Sequence, residues 1–437
     1  MILAARGSAS MDIGDEEAGS LFSEALSLAL RELKGRGPVL IIPPDITRFH
    51  SRAGFLTDIA AGELGGQLGA VMPALGTHMP MKREEIARMF PKTPADKFRV
   101  HDWRSDIVTL GRIEGAWVQS ITEGKLTFDW PVQVNKLLLE GGFKLIISIG
   151  QVVPHEVTGM ANHLKNILVG TGGKEAIDKS HFVGASYGME RIMGRAETPV
   201  RALLDEGFNR FGHKLPPVLF VLTVLSPRSV EESRKKGMSL SASHSPALRG
   251  LYAGFGRDCF TEAAALARQV NVDTLDEPIK KAVVYLDPDE FRTTWLGNKS
   301  IYRTRMAMAS GGELLVLAPA LERFGEDEGV DRLIRKYGYR PSEVILKKVD
   351  EEKELAENLS VAAHLIHGSS ENRFTVRYCP GPGVSRGEIE GVGYEWGSLD
   401  EAAKRYDVKS LAPGWNTMPS GEKIFFVPNP ALGLWTV

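Results

Sequence analysis

The stretch 154–181, which follows a strongly apolar run of the chain, contains three histidines: His155, His163 and His181. His155 comes first, Lys165 lies ten residues later, and His181 lies a further sixteen residues on. Histidine side chains exchange protons near neutral pH and also ligate metal ions. Open α/β folds place their chemistry at the carboxyl ends of strands, so this stretch is predicted to form part of an active site.

A second group of polar residues, Asp45, Thr47 and Arg48, follows the apolar run 39–42. A carboxylate, a hydroxyl and a guanidinium at this spacing can surround one bound anion or a ribose. The same pattern also fits a capped helix start with a solvated arginine. Spacing alone leaves both readings open.

Two further loops carry weaker signals. His78 stands in a Gly-Thr-His loop after the apolar run 70–75, where it is either a proton carrier or an ordinary surface residue. The Gly-rich turn 170–174, which ends in Lys174, resembles a phosphate-binding loop but lacks the Walker spacing. Neither loop identifies a function by itself.

His78, His155 and His181 can be combined in more than one way. Together they could ligate zinc, since catalytic zinc commonly has three protein ligands and an open position. They could instead act as acid and base, or divide between these roles. His163 and Lys165 are two residues apart, so they cannot share one face of a helix.

Short apolar runs that end in Gly, Pro or Asp alternate with helix-length segments along the chain. This alternation is typical of buried parallel strands connected by helices, and it predicts an α/β fold with mainly parallel sheets. The predicted strands are 39–42, 145–149, 218–224, 282–286 and 313–317.

At 437 residues the chain is too long for one ordinary core, so we expect two α/β domains with an active-site cleft between them. The polar run 271–278 follows a predicted helix at 260–270. It predicts an N-terminal domain at 1–270 and a C-terminal domain at 271–437. The Gly- and Pro-rich stretch from Tyr378 onward is predicted to form loops and short strands.

Composition excludes several classes of partner and site. A formal net charge of -2 gives no electrostatic reason to expect binding to nucleic acid or to an anionic membrane. The two cysteines are far apart, which argues against a disulfide framework or a thiolate zinc site. No run of eighteen apolar residues suggests a membrane span, and no signal peptide pattern is evident. A cytoplasmic protein is therefore expected.

Taken together, these motifs resemble the lactate racemases that depend on a nickel-pincer nucleotide. The matches keep the same order and similar intervals over roughly residues 40 to 320. They are Asp45-Ile46-Thr47-Arg48, Gly76-Thr77-His78, Pro154-His155, Lys165, Ser180-His181, and Lys299 before Gly311-Gly312.

The resemblance implies a role for each matched residue. The cofactor would be a Ni-pyridinium-3,5-bisthiocarboxylic acid mononucleotide attached covalently to Lys165, with His181 completing the nickel coordination. His78 and His155 would be the acid-base pair. The remaining matched residues would hold cofactor or substrate: Asp45 and Thr47 in the cofactor-binding turn, and Arg48 and Lys299 on the cofactor phosphate or the substrate carboxylate.

The resemblance further implies a racemase or epimerase of a 2-hydroxy acid, supplied with its cofactor by synthesis proteins of the host. Two departures from the family pattern leave the substrate open between lactate, a larger 2-hydroxy acid and a sugar acid. The segment before Lys165 is Met160-Ala161-Asn162-His163-Leu164, and Trp295-Leu296 precedes Lys299. Asn162, His163 and Trp295 are therefore hypothetical selectivity residues. The alternatives are a zinc-dependent hydrolase and a non-catalytic protein that binds a nucleotide or sugar acid.

Overall fold

The computed structural model of the chain describes residues 1–33, 37–228, 232, 246–431 and 433–437. Contacts between residues divide the chain into two compact units. The first unit contains Met1–Val183 and Arg191–Asn271, and the second contains Gly184–Glu190 and Val272–Val437.

The strands are short, and most of them belong to one large sheet in each unit. In the first unit they are β1 Ile2–Gly7, β2 Val39–Ile42, β3 Leu68–Val71, β4 Ile107–Ile113, β5 Trp130–Asn135, β6 Leu145–Gln151, β7 Pro154–His155, β8 Gly159–Met160, β9 Val218–Ser226 and β10 Ala247–Phe255. In the second unit they are β11 Asp273–Thr274, β12 Ile279–Tyr285, β13 Met308–Ala318, β14 Thr375–Pro380, β15 Glu395–Trp396, β16 Gly414–Thr417, β17 Lys423–Val427 and β18 Trp435–Thr436.

Helices connect the strands of both sheets. Among the described residues, those that begin before residue 272 are α1 Asp15–Glu32, α2 Ala53–Leu64, α3 Arg83–Met89, α4 Gly115–Ile121, α5 Lys136–Glu140, α6 Leu164–Leu168, α7 Lys174–Tyr187, α8 Pro199–Phe211 and α9 Asp258–Asn271. The later ones are α10 Thr294–Gly297, α11 Lys299–Thr304, α12 Glu328–Tyr337, α13 Ser342–Glu351, α14 Lys353–Ala356, α15 Leu359–His367, α16 Arg386–Gly391 and α17 Leu399–Arg405. A 3₁₀ helix, Ile46–Ser51, follows β2.

The large sheet of the first unit has six strands in the order β1-β10-β9-β6-β2-β3. The four strands from β9 to β3 are parallel, while β10 and β1 extend the sheet in antiparallel fashion. Every residue of β2, β6 and β9 is buried, which explains why these strands appear in the sequence as uninterrupted apolar runs. Phe22 and Leu26 of α1 and Leu56 of α2 pack in the same core as this sheet.

The large sheet of the second unit also has six strands, in the order β15-β14-β13-β12-β17-β16. All neighbouring pairs are parallel except β16 and β17. The predicted α/β fold with mainly parallel sheets is thereby confirmed. Among the described residues, no helix is long and apolar enough to cross a membrane.

The C-terminal stretch contains more helix than its Gly and Pro content predicts. It has short strands, as expected, but also α16 and α17. Ser385 and Ser398 accept hydrogen bonds from the backbone N–H groups of Glu388 and Glu401, three residues later. This Ser-x-x-Glu spacing is the signal of a capped helix start, so the prediction of loops and short strands alone was wrong.

Candidate active site

The loops after three neighbouring strands of the first sheet contain the predicted acid-base and anion-binding residues. Asp45 follows β2, His78 follows β3 and His155 follows β6, and these three strands are adjacent and parallel. The carboxyl ends of parallel neighbours meet at one edge of the sheet, which is where α/β proteins bind ligands. The loops after β2 and β3 also pair directly, through a bridge between Pro44 and Ala74.

Asp45 and His78 form a hydrogen-bonded pair between two of these loops. The His78 Nδ1 atom lies 2.6 Å from Asp45 Oδ2, while Thr47 donates its backbone N–H and its hydroxyl to Asp45 Oδ1. Burial opposes ionisation of Asp45, but His78 and the hydrogen bonds from Thr47 hold its pKa below the usual value. The carboxylate favours the His78 tautomer with the proton on Nδ1, in which Nε2 carries the lone pair.

His155 has the opposite arrangement around its ring. It stands in the short hairpin of β7 and β8, where the Val157 backbone N–H donates to His155 Nδ1 at 3.1 Å. In the neutral ring the proton is therefore on Nε2. Burial lowers the pKa of His155 well below its usual value; Glu156, at 3.7 Å, opposes this and Lys165 adds to it. At Nε2 the neutral His78 can therefore accept a proton, whereas His155 becomes an acid only after it takes up a second proton, whose charge Glu156 favours.

Arg48 lies on the 3₁₀ helix that begins directly after Asp45, and its side chain is partly buried. Its positive charge contributes to lowering the pKa values of both His155 and Lys165, so it is close to both groups. A cation in this position can hold a carboxylate or a phosphate beside them.

Lys165 stands on α6, and its amine has an unusual pKa for a lysine. Burial lowers the pKa from 10.5 to about 8; Glu156 opposes the change, and Arg48 and Arg201 reinforce it. A substantial fraction of the amine is therefore neutral at slightly alkaline pH, and a neutral amine is the form that acts as a nucleophile. No local pattern predicts this shift, because it arises from burial in the folded chain and from Arg48 and Arg201, which are distant in sequence.

This lowered pKa predicts that Lys165→Met stabilises the chain when no cofactor is bound. The unfolded lysine keeps its usual pKa, so the charged amine opposes folding fully below pH 8, and the opposition fades as pH rises from about 8 to 10.5. A gain of about 1–3 kcal/mol in the free energy of unfolding is expected at pH 7, and almost none above pH 10.5. Urea unfolding at both pH values measures it. Lys174→Met, which removes a partly exposed lysine paired with Asp178, should not show this pH-dependent gain.

His181 on α7 has the geometry of a metal ligand. Its Nδ1–H donates to the backbone carbonyl of Ile177 at 2.7 Å, which leaves the Nε2 lone pair for coordination. Metal-binding histidines usually have such a second hydrogen bond, which fixes the tautomer and the orientation of the ring. Burial, with the charge of Lys165, lowers the pKa of His181, so the ring is held in the neutral form that ligates metals. Among the described residues, no three His, Cys, Asp or Glu side chains are grouped to hold a metal ion.

The backbone before Lys165 is held in a conformation that few residues adopt. Asn162 and His163 have φ angles of 67° and 58°, in the left-handed region. The His163 ring is buried between Phe220 and Phe260, and its Nε2 atom lies 3.1 Å from the Gly256 carbonyl. His163 is therefore packed in the core of the first unit, which gives no support to its hypothetical role in substrate selectivity.

Arg201, which belongs to no recognised sequence motif, stabilises the backbone of this segment. The side chain is completely buried on α8 and donates to the carbonyl oxygens of Met160 at 2.6 Å and Asn162 at 3.3 Å. Its guanidinium also lies over the Phe260 ring at 4.2 Å. Burial lowers the pKa of Arg201 to about 9, so it remains charged near neutral pH.

Replacement of Arg201 by methionine is expected to destabilise the chain by about 2–5 kcal/mol, because two buried carbonyl groups lose a charged donor. Arg201→Lys should recover part of this loss, since it keeps one donor group. The matched control is Arg210→Met on the same helix, whose partly exposed side chain pairs with Glu206 and Glu114. It should change the free energy of unfolding by less than about 1 kcal/mol. Equal effects of both methionine variants in urea unfolding would contradict this role for Arg201.

Two predicted site residues, Trp295 and Lys299, belong to the second unit. Trp295 stacks on His364 with ring centres 4.3 Å apart. The two ring nitrogens of His364 are hydrogen-bonded to the hydroxyl groups of Tyr302 and Tyr339. Lys299 Nζ lies 5.7 Å from the centre of the Phe291 ring. The sequence did not predict this cluster of aromatic side chains around His364, because Tyr339 and His364 are distant from Trp295 along the chain.

The first unit also carries the sequence signature of a known family. Residues 20–191 match the family model of the lactate racemase N-terminal domain. The resemblance to lactate racemases is confirmed over this part of the chain. The matched stretch includes Asp45, Arg48, His78, His155, Lys165 and His181.

Two solved structures share the fold along almost the whole chain. A protein from Thermotoga maritima superposes with a TM-score of 0.79 at 23% identity, covering 97% of this chain and 99% of that one. The lactate racemase apoprotein from Thermoanaerobacterium thermosaccharolyticum superposes with a TM-score of 0.69 at 16% identity, covering 98% and 97%. At such low identity these structures establish the fold alone. No curated protein matches the chain.

Proposed function

We propose that this chain is a racemase or epimerase of a 2-hydroxy acid that works with a nickel-pincer nucleotide attached to Lys165. The observation that carries the proposal is the assembly of the matched residues around one edge of the first sheet, each in a suitable chemical state. Lys165 has an amine of lowered pKa, His181 has an Nε2 lone pair available for a metal, and the two acid-base histidines have opposite tautomers.

The residues of the first unit fit the cofactor on chemical grounds. Lys165 would be the point of covalent attachment, since a substantial fraction of its amine is neutral at slightly alkaline pH. His181 would be the protein ligand to nickel, for which imidazole is well suited. Asp45 and Thr47 were predicted to bind the cofactor, but they are engaged with each other and with His78. We therefore propose that Asp45 orients His78.

Inverting a 2-hydroxy acid requires removal and return of the hydrogen on its C2 carbon. When bound, the cofactor supplies a reversible hydride acceptor for this hydrogen. The hydroxyl proton leaves at the same time, and His78 Nε2 is the acceptor for one enantiomer. The C–H and O–H bonds are broken, the carbon is oxidised, and a planar 2-keto acid results.

In the second half of the reaction the C2 carbon would regain its hydrogen on the opposite face of the keto acid. His155 would then donate a proton from Nε2 to the carbonyl oxygen in its charged imidazolium form, in which the protonated Nδ1 lies 3.7 Å from the Glu156 carboxylate; this restores the hydroxyl group and leaves the ring neutral. Arg48 would hold the carboxylate while the keto group turns, because its charge lies close to both His155 and Lys165. The reverse reaction uses the histidines in the opposite order. Lys299 is proposed as a further cation for substrate or cofactor and Trp295 as a substrate contact.

The test is a racemisation assay on protein produced in a host that makes the cofactor. Single enantiomers of lactate, larger 2-hydroxy acids and sugar acids are incubated with the protein, and both enantiomers are followed by chiral chromatography. Conversion of at least one substrate in both directions is expected. An absence of conversion for every substrate, from protein shown to carry the cofactor, would contradict the proposed reaction.

A further inference from the structure

A separate pocket of about 360 Å³ lies within the second unit. It opens at the amino ends of β13 and β14, since Gly311 and Thr375 lie at the beginnings of these strands and line it. Trp295 and Lys299, in contrast, come after the carboxyl end of β12 in the same parallel sheet. The pocket is therefore at the other end of this sheet from the residues that the proposed racemase site would use.

Two guanidinium groups line this pocket, those of Arg340 and Arg373. Arg373 donates through Nη2 to the Arg305 backbone carbonyl and lies beside the Phe374 ring. Arg340 lies against Gly393, where a Cβ atom would be only 2.7 Å from Arg340 Nη1. The glycine, whose φ is 97°, thus provides the space that the guanidinium occupies.

Within the described part of the chain, neither Arg340 nor Arg373 forms an ion pair with a carboxylate. This distinguishes them from exposed or partly exposed arginines elsewhere in the second unit. Arg335, Arg377 and Arg405 each pair with a glutamate at 2.6–2.8 Å. The two pocket arginines therefore offer positive charge that no nearby acid neutralises.

The acidic residues at the pocket are already engaged with other groups. Glu395 lines the wall and pairs with Arg377 at 2.6 Å. Glu371, next in sequence to Ser370 of the wall, accepts hydrogen bonds from the backbone N–H and hydroxyl of Ser342. Both carboxylates are thus directed to partners of their own, and the pocket retains a net positive character.

The rest of the lining combines neutral polar side chains with two tyrosine rings. The side chains of Ser370, Asn372 and Thr375 add hydroxyl and amide donors. Tyr339 and Tyr394 also line the pocket, but both are buried and stacked on each other with ring centres 4.6 Å apart, and Tyr394 stacks on Tyr378 as well. Guanidinium and hydroxyl donors suit the oxygens of a phosphate group, and a pocket of about 360 Å³ has room for a small organic body attached to it.

We propose that this pocket of the second unit binds a small phosphate monoester, with Arg340 and Arg373 holding the phosphate group. Its occupancy does not depend on the proposed racemase reaction, because no residue of the pocket takes part in that reaction. The ligand class follows from the pair of unneutralised guanidinium groups beside the hydroxyl and amide donors of the same pocket.

Isothermal titration of the full chain with inorganic phosphate, ribose 5-phosphate and acetate, at equal ionic strength, tests the proposal. Binding of ribose 5-phosphate is expected in the micromolar to millimolar range, with inorganic phosphate weaker and acetate weakest. Arg340→Met and Arg373→Met should each weaken ribose 5-phosphate binding about tenfold or more, which corresponds to about 1.4 kcal/mol. The control, Arg386→Met, removes an exposed arginine paired with Glu390 and should leave this binding unchanged.

Thermal unfolding gives a second measurement on the same variants. Ribose 5-phosphate should raise the unfolding temperature of the wild-type and Arg386→Met chains and should do so less for the two pocket variants. Arg340 is exposed, so its replacement is not expected to lower the unfolding temperature without ligand. Failure of all phosphate ligands to bind, or equal binding by the pocket variants and the control, would overturn the proposal.

Discussion

Lys165→Ala is expected to abolish racemisation, with a loss of at least about 10⁴-fold in kcat/KM, because the group that accepts and returns the C2 hydrogen would have no attachment point. The buried amine of lowered pKa is the feature that makes Lys165 suitable for attachment. The measurement is chiral chromatography of a single 2-hydroxy acid enantiomer with the variant and the wild-type chain from the same host.

Two further lysine variants separate loss of the amine from loss of the fold. Lys165→Arg keeps a positive charge but removes the nucleophilic amine, so it should be as inactive as the alanine variant. Lys174→Ala should retain activity, because Lys174 pairs with Asp178 on α7 and takes no part in the proposed chemistry. Full activity in Lys165→Ala would show that Lys165 does not attach the cofactor.

His155→Gln and His78→Gln are each expected to lower kcat for racemisation by about 10²–10⁴-fold, since each removes one proton-transfer group. Both directions of the reaction should be affected in each variant, because one turnover uses both histidines. Chiral chromatography started separately from each enantiomer measures this. Asp45→Asn should give a smaller loss, about tenfold or more, because His78 remains but the group that fixes its tautomer is changed.

The control for the histidine variants is His213→Gln, an exposed histidine in the same unit that should leave kcat unchanged. Ligand affinity distinguishes catalysis from binding alone. If the histidine variants bind the substrate as tightly as the wild-type chain but fail to interconvert its enantiomers, the histidines act in catalysis. Unchanged racemisation in both variants would contradict their assignment.

The parallel core of the first sheet was predictable because its strands are buried on both faces. The run Val39–Ile42 matches β2 residue for residue, and the runs beginning at Leu145 and Val218 begin β6 and β9. The antiparallel edge was not predictable in the same way. Pairing of Ile2 with Gly254 joins residues at opposite ends of the unit, and no local pattern indicates which distant strand completes a sheet.

In the candidate site, too, local features were predictable from the sequence, whereas contacts between distant residues were not. Loops after β2, β3 and β6 were recognised by their polar residues, but the hydrogen bond between Asp45 and His78 spans 33 residues and depends on the strand order. Arg201 was missed because its role is to donate to backbone carbonyls, which any sequence provides. The separate partners of His78, His155 and His181 also show that these three histidines are individually oriented, a detail that spacing could not supply.

The state of Lys165 itself provides the most direct test of the proposed function. The wild-type chain from a cofactor-producing host is analysed by intact mass spectrometry and peptide mapping, and nickel is quantified on the same sample. A mononucleotide adduct on the peptide containing Lys165, together with bound nickel that is lost in His181→Ala, is the predicted result. An unmodified Lys165 in a chain that carries zinc and still turns over its substrate would contradict it.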